Sequence, residues 1–189
     1  MRLYFIRHGQ TDWNNEGKIQ GSYDIELNDI GVNQAVELSK RVLDSNIKFS
    51  KIYSSKQKRA LKTAEILRSN TNVDYIPLDG LEEMNLGDWE GLSWKEAIDK
   101  YPKEYDEWYH NRRYSKSHNG ESYQEMLERV LEALHKIISI NNDDVVIVTH
   151  SAVIMSLQCY ITDTPFDKMR IFQTDNVSIT EIDSADLMC

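Results

Sequence analysis

Two short, uninterrupted apolar runs constrain the fold of this chain more than any other feature of its sequence. Residues 3–6 and 145–148 contain only β-branched, aromatic and other apolar side chains. Strands that are covered on both faces form continuous apolar runs, whereas half-exposed strands alternate apolar and polar residues. The two runs therefore predict central strands of a sheet with a layer packed on each face.

Weaker strand candidates and helix signals alternate along the rest of the chain. The strand candidates are residues 52–53, 73–76 and 177–182. Apolar residues recur at helical spacing over 29–45 and 122–138, and Ser55, Ser93 and Ser122 are candidate helix N-caps. This alternation predicts an α/β fold, a three-layer sandwich with a mostly parallel central sheet flanked by helices.

Composition limits the class of protein. The chain has 189 residues, of which 40% are apolar and 28% charged, and no linker-like segment, so we expect a single domain over 1–189. The net charge of −9 argues against a nucleic-acid partner, and no apolar run has the length of a membrane helix. The two cysteines, Cys159 and Cys189, and a strand-like N-terminus without a signal peptide predict a cytoplasmic protein.

Charged and polar side chains follow four of the predicted strands. Arg7 and His8 end the first, and His150 and Ser151 follow the run at 145–148. Arg59 comes soon after the strand candidate at 52–53, and Glu83 comes after the one at 73–76. Because the carboxyl ends of parallel strands share one edge of a sheet, we expect these side chains to meet in one cleft.

Two arginines, two histidines and a carboxyl group suit phosphoryl transfer. Guanidinium groups match phosphate oxygens, a neutral imidazole is a nucleophile, and a carboxylic acid can protonate a leaving oxygen. Each residue also has a structural interpretation, as a buried histidine or a solvated arginine. The histidines and the carboxylate could alternatively bind iron, but Arg7 and Arg59 would repel a cation there, so we expect no metal.

Residues 7–11, Arg7-His8-Gly9-Gln10-Thr11, resemble the Arg-His-Gly-(Glu/Gln)-Thr motif of the histidine phosphatase superfamily, in its phosphoglycerate mutase-like branch. Further matches occur in the family's order across the whole chain. They are Trp13-Asn14, Gln20-Gly21, Ser54-Ser55 with Arg59, residues 83–91, Gly120-Glu121-Ser122 and His150. The resemblance implies a phosphoglycerate mutase-like fold, an enzyme without metal or other cofactor, and a small phosphorylated substrate.

The resemblance also implies roles for particular residues. His8 matches the phosphate-accepting nucleophile, and the Gly9 carbonyl is expected to fix its tautomer. Glu83 matches the proton donor, with Glu82 the weaker candidate because the spacing to Gly87 selects Glu83. The residues expected to bind the phosphoryl group or substrate are Arg7, Asn14, Gln20, Arg59, His150 and Ser151.

Three activities are compatible with this resemblance: a phosphatase, a bisphosphoglycerate-dependent phosphoglycerate mutase, and a non-catalytic phospho-ligand binder. The short stretch 92–95, with Trp94 where mutases place a lysine, favours the phosphatase, although Arg112-Arg113 resembles the paired arginines of mutases. α-Ribazole 5'-phosphate is a candidate substrate.

Residues 88–121 are expected to roof the site, and the aromatic residues within 94–114 either stack on substrate or pack the roof. A homodimer is the candidate assembly.

Charge is unevenly distributed along the chain. Residues 48–68 contain seven basic side chains and one acidic side chain, a local charge of +6, and they include Arg59. We therefore expect this segment to create a positive region at the site that attracts a small phosphomonoester.

Overall fold

A computed structural model describes residues 1–71 and 73–187 of the chain. Its sheet contains β1 (Arg2–Arg7), β2 (Lys51–Ser54), β3 (Asp74–Pro77), β4 (Val145–Thr149) and β5 (Ile179–Asp183), in the order β3-β2-β4-β1-β5. Strands β1 to β4 are parallel, and β5 pairs antiparallel with β1. The predicted mostly parallel sheet is confirmed.

Helices connect and cover the strands. They are α1 (Asp12–Asn15), α2 (Asp29–Asp44), α3 (Lys58–Thr71), α4 (Trp94–Lys100), α5 (Pro102–His110), α6 (Tyr123–Ile140) and α7 (Ser151–Ile161), with 3₁₀ turns at Gly87–Trp89, Phe166–Phe172 and Ser184–Leu187. The capping boxes predicted at Ser93 and Ser122 begin α4 and α6. The cap predicted at Ser55 is wrong: α3 begins three residues later, and the Ser55 hydroxyl accepts the Gln57 N–H.

Alternate side chains of each strand enter different layers, which explains the continuous apolar runs. Tyr4 and Ile6 pack with residues of α2 and α3 on one face of the sheet. Leu3 and Phe5 pack with residues of α6 and α7 on the other face. Because both faces of β1 and β4 are buried, neither strand can alternate with polar residues.

The cysteines and the lengths of the helices relate to the predicted cellular compartment. Cys159 is buried and unpaired, and Cys189 lies outside the described residues. None of the helices within 1–71 and 73–187 combines the length and apolar content needed to cross a bilayer.

Candidate active site

Strand register brings the two predicted histidines together. Arg7 of β1 pairs with Thr149 of β4, so His8 and His150 follow at adjacent positions on one edge of the sheet. Their ring centroids are 5.2 Å apart. The expectation that the ends of parallel strands bring these side chains together therefore holds.

A cavity of about 460 Å³ lies at this edge. Seven of the eight predicted site residues line it: Arg7, His8, Asn14, Gln20, Arg59, Glu83 and Ser151. His150, the eighth, has no exposed surface and lies beside the His8 ring without lining the cavity.

The His8 ring is oriented by its own backbone neighbour. Its Nδ1 lies 2.7 Å from the Gly9 carbonyl oxygen, which can only accept, so the proton is on Nδ1 and the Nε2 lone pair is free. Burial, Arg59 and Arg7 hold the pKa of His8 well below 6.5. The ring is therefore neutral and carries an available lone pair at physiological pH.

Gly9 is also required by packing. A Cβ at this position would lie 2.5 Å from the Gly31 carbonyl oxygen, closer than van der Waals contact permits. The Gly9 N–H donates to Thr63 Oγ1 at 3.0 Å, and Thr63 in turn donates to the Arg59 carbonyl. The turn that carries His8 is thus tied to the helix that carries Arg59.

The two arginines are held by backbone carbonyls. Arg7 Nη1 donates to the Thr174 carbonyl at 2.6 Å, and Arg59 donates from Nη1 to Tyr23 at 2.7 Å and from Nη2 to Gly21 at 2.8 Å. The Nε of each is buried without a hydrogen-bond partner. Burial lowers the pKa of Arg59 to about 10, so it stays charged at neutral pH. Both cations retain donor capacity for an anion in the cavity.

Glu83 lies at the cavity with its carboxylate held by two backbone donors. Oε1 accepts the Met84 N–H at 3.0 Å, and Oε2 accepts the Ala152 N–H at the start of α7 at 3.4 Å. Burial raises the pKa of Glu83 above 4.5, and this effect outweighs the opposing effect of Arg59. Glu82 instead accepts the Gly80 N–H and does not line the cavity.

The amide side chains at the cavity share one organising residue. Thr11 Oγ1 lies 3.2 Å from Asn14 Oδ1 and 3.0 Å from Gln20 Oε1, and its single hydroxyl hydrogen can be donated to either oxygen. Because the amide oxygens face Thr11, the NH₂ groups of both amides are the atoms left to donate to a ligand. Ser151, at the start of α7, hydrogen-bonds to Thr174.

Several supporting residues have no counterpart among the sequence predictions. Arg129 of α6 donates to the carbonyls of Gly80, Glu82 and Glu83 and pairs with Glu121 at 2.6 Å, which fixes the loop that carries Glu83. Asn176 donates to the His8 carbonyl at 2.9 Å.

The aromatic residues within 88–121, the segment expected to roof the site, mainly pack against one another. The rings of Trp89, Trp94, Tyr105 and Trp108 form a mutually contacting cluster. Trp94 is the only one of the four that lines the cavity, so the packing interpretation holds for Tyr105 and Trp108, the other two members within 94–114. The cluster also carries Arg112, whose guanidinium lies 4.1 Å from the Trp108 ring centroid.

The basic residues at the cavity differ from those expected. Arg59 is the only residue of 48–68 on the cavity wall, whereas Lys56, Lys58 and Lys62 pair with surface carboxylates. The cations on the wall are dispersed through the chain: Arg7, Lys18, Arg59, Arg112 and Arg170. Glu83 is the one carboxylate among the described wall residues. The expected positive region exists, but folding rather than a local sequence cluster assembles it.

Among the described residues, no three or more histidine, cysteine, aspartate or glutamate side chains form a group suited to hold a metal ion.

Comparisons with known proteins identify relatives of this chain. The profile of the histidine phosphatase superfamily (branch 1) matches residues 3–187. Phosphoglycerate mutase-like protein 4 of Arabidopsis thaliana is 39% identical over 82% of this chain and 68% of its own. Metal-independent phosphoserine phosphatase of the same plant is 32% identical over 85% of this chain and 68% of its own. The crystal structure of α-ribazole phosphatase from Shigella flexneri, 28% identical, covers 97% of this chain and 90% of its own with a TM-score of 0.84.

Proposed function

The chain belongs to the histidine phosphatase superfamily and is a phosphatase of small phosphorylated compounds, and we propose that it hydrolyses phosphomonoesters through a phosphohistidine formed on His8. One observation carries the proposal: a neutral His8 with a free Nε2 lies beside two arginines in a cavity that also contains the carboxyl group of Glu83. A nucleophile, an anion site and a proton donor are thereby assembled in one place.

In the first step, His8 Nε2 attacks phosphorus and the bond from phosphorus to the ester oxygen breaks. Arg7 and Arg59 neutralise charge on the phosphoryl oxygens, and protonated Glu83 gives its proton to the leaving oxygen. The Gly9 carbonyl accepts from Nδ1–H throughout, which stabilises the positive charge that the ring gains on phosphorylation.

In the second step, the Glu83 carboxylate takes a proton from water while the water oxygen attacks phosphorus. The bond from phosphorus to Nε2 breaks, its electron pair returns to the ring, and inorganic phosphate leaves. Glu83 ends protonated and ready for another turnover.

The cavity favours a substrate with a second anionic group beside the phosphate. Arg112 is 8% exposed, lines the cavity, and has an Nε that is buried without a hydrogen-bond partner. A buried cation gains most from an anionic partner, and a carboxylate such as that of phosphoserine offers bidentate geometry. This preference is consistent with a relative named phosphoserine phosphatase.

In this proposal, residues 1–189 form a single catalytic domain, residues 88–121 roof the site, and the mechanism needs no cofactor. α-Ribazole 5'-phosphate, which lacks a carboxylate, and phosphoglycerate mutase activity are the competing assignments. The homodimer and the cytoplasmic location stay predictions.

Two substrates that differ only in a carboxylate test the preference. Phosphoserine should have a higher kcat/KM than phosphoethanolamine, and Arg112→Met should lower the value for phosphoserine about 10- to 100-fold while changing phosphoethanolamine little. Arg113→Met is the matched control, since Arg113 hydrogen-bonds to Gln124 and does not line the cavity.

Three results would contradict the substrate assignment. Equal values for the two substrates would remove the carboxylate preference. Faster hydrolysis of α-ribazole 5'-phosphate would replace phosphoserine-like compounds with that ester. Bisphosphate-dependent conversion of 3-phosphoglycerate to 2-phosphoglycerate, without phosphate release, would make the protein a mutase.

A further inference from the structure

His150 is buried with one ring nitrogen engaged and the other unpartnered. Its Nε2 lies 2.9 Å from Ser55 Oγ, while its Nδ1 is buried with no hydrogen-bond partner. The ring and the Ser55 side chain are both inaccessible to solvent. The position of the single ring proton therefore decides whether the unpartnered Nδ1 is a donor or an acceptor.

The hydrogen bonds of Ser55 determine that position. The Gln57 N–H donates to Ser55 Oγ at 3.2 Å, so the hydroxyl oxygen already accepts one bond. His150 Nε2 is the only acceptor within reach of the hydroxyl hydrogen among the described residues. If Nε2 carried the proton, the buried Ser55 hydroxyl would have no acceptor, which is unfavourable because a buried donor without a partner has also lost its hydration.

We propose that Ser55 is a positioning residue that holds His150 in the Nδ1–H tautomer, so that neutral His150 presents an N–H donor to the phosphoryl group bound at His8. The hydroxyl of Ser55 donates to Nε2, and the proton stays on Nδ1. The inference rests on the proposed phosphohistidine chemistry, since that chemistry places an anion beside the two rings.

The same tautomer then serves opposite purposes in the two histidines. His8 uses Nδ1–H to bind the Gly9 carbonyl and leaves the Nε2 lone pair free to attack. His150 uses Nε2 to accept from Ser55 and leaves Nδ1–H free to donate. A carbonyl oxygen beside one ring and a hydroxyl group beside the other are sufficient to produce a nucleophile and a donor from identical side chains.

Nuclear magnetic resonance of the wild-type protein tests the tautomer directly. Long-range proton–nitrogen correlations of the His150 ring should show a protonated Nδ1 and an unprotonated Nε2 at neutral pH. A protonated Nε2 would overturn the proposal. This readout does not require turnover, so it can fail while phosphatase activity through His8 stands, and the reverse also holds.

Substitution at Ser55 tests the consequence for catalysis. Ser55→Ala should shift the His150 ring toward the Nε2–H tautomer, lower kcat/KM about 10-fold or more, and weaken inhibition by orthovanadate. Ser55→Thr keeps the hydroxyl and should restore the Nδ1–H pattern and most of the activity.

Ser54→Ala is the matched control for loss of a buried hydroxyl. The Ser54 side chain is equally inaccessible but contacts the Tyr75 hydroxyl, so the His150 spectrum and the activity should be unchanged. Wild-type activity and an unchanged His150 tautomer in a folded Ser55→Ala protein would overturn the proposal. If Ser55→Ala fails to fold, the wild-type spectrum and the Ser55→Thr variant still test the proposal, since both should show a protonated Nδ1 on His150.

Discussion

Glu83 shows how a single side chain obtains its chemistry from its position. Burial raises the pKa of its carboxyl group, while Arg59, Arg7 and two backbone N–H groups oppose the increase. The group therefore keeps its proton to a higher pH than an exposed glutamate, and the nearby cations keep its ionised form attainable. The proposed mechanism uses both states, because in it the same group donates a proton and then removes one from water.

Glu83→Gln should slow hydrolysis most for esters whose leaving group needs a proton. For an alkyl phosphate, whose leaving oxygen needs a proton, we expect kcat/KM to fall about 10²- to 10⁴-fold. For p-nitrophenyl phosphate, whose leaving phenolate is stable, the fall in the first step should be much smaller. The alkaline limb of the pH profile for kcat/KM, produced by ionisation of Glu83, should disappear in the variant.

Glu82→Gln is the control for this measurement. Its side chain binds the Gly80 N–H outside the cavity, so the leaving-group dependence should match the wild type. If kcat/KM falls equally for both esters in Glu83→Gln, Glu83 is not the proton donor. The same conclusion follows if Glu82→Gln shows the leaving-group dependence expected of Glu83→Gln.

At the residue scale, the sequence could predict side chains that follow strand ends but not those that support them. His8 and Glu83 directly follow strands or the loops after them, so topology alone places them. Arg129 and Asn176 act on backbone carbonyls of residues far away in the chain, 46 and 168 positions respectively. No local pattern marks such a contact, because any donor of suitable length satisfies a carbonyl.

The loop between α1 and α2 acts as the support for Arg59. The carbonyls of Gly21 and Tyr23 accept from its two Nη atoms, and Glu90 fixes the loop by accepting from the Ser22 N–H at 2.7 Å and its hydroxyl at 2.8 Å. Gly21 has a φ of +50°, and a Cβ there would overlap the Glu90 carboxylate. The loop geometry thus depends on the absence of a side chain.

Gly21→Ala should impair both stability and phosphate binding. Left-handed backbone strain alone costs on the order of 1 kcal/mol of unfolding free energy, and displacement of Glu90 should also move the carbonyls that hold Arg59. We expect kcat/KM to fall about 10-fold or more, measured together with urea unfolding.

Gly17→Ala distinguishes the effect of left-handed backbone strain from the effect of overlap with a neighbouring side chain. Gly17 also has a positive φ, +68°, but a Cβ there meets nothing within 4 Å. This variant should lose a similar strain energy and keep its kcat/KM. Equal activity losses in the two variants would contradict the role assigned to the contact between Gly21 and Glu90.

At the element scale, predictions succeeded where the signal is local. The capping boxes at Ser93 and Ser122 require only residues three positions apart, and both begin helices. Ser55 has the same residue type, but its hydroxyl hydrogen-bonds to His150 at the N-cap of α7, and α3 begins later. The strand predicted from 177 begins at Ile179, because Val177 adopts a φ of +55° as its N–H binds the Arg7 carbonyl. Tertiary contacts decided both differences.

The whole molecule combines an acidic surface with a basic cavity. The net charge is −9, yet the described cavity wall carries five cationic side chains and one carboxylate. Total charge therefore says little about the ligand, whereas the placement of the cations determines the local potential within a Debye length of about 8 Å.

Burial of the two histidines should make stability depend on pH. The pKa of His8 and of His150 is held well below 6.5 in the folded protein, mainly by burial. Below about pH 6.5 the unfolded chain binds more protons at these positions than the folded chain does, so stability falls as pH decreases. Glu83 has the opposite sign, because its raised pKa lowers stability as pH rises above about 4.5.

The His150→Asn substitution measures how much His150 contributes to the pH dependence of the unfolding free energy. Between about pH 6.5 and about pH 5.5, the unfolding free energy of the wild type should fall by up to about 1.4 kcal/mol more than that of His150→Asn. Urea unfolding at both pH values measures the difference, and the exposed His110→Asn variant should behave like the wild type. An equal pH dependence in all three proteins would show that His150 is not held neutral.

The proposed mechanism requires the phosphoryl group to pass through His8. A rapid alkaline quench of the enzyme mixed with radiolabelled phosphomonoester should trap an alkali-stable, acid-labile phosphoprotein labelled on His8. His8→Ala should give no label and no turnover, with Arg113→Met labelled like the wild type. Label that persists in His8→Ala, or phosphate release by that variant at the wild-type rate, would show that no phosphohistidine forms on His8.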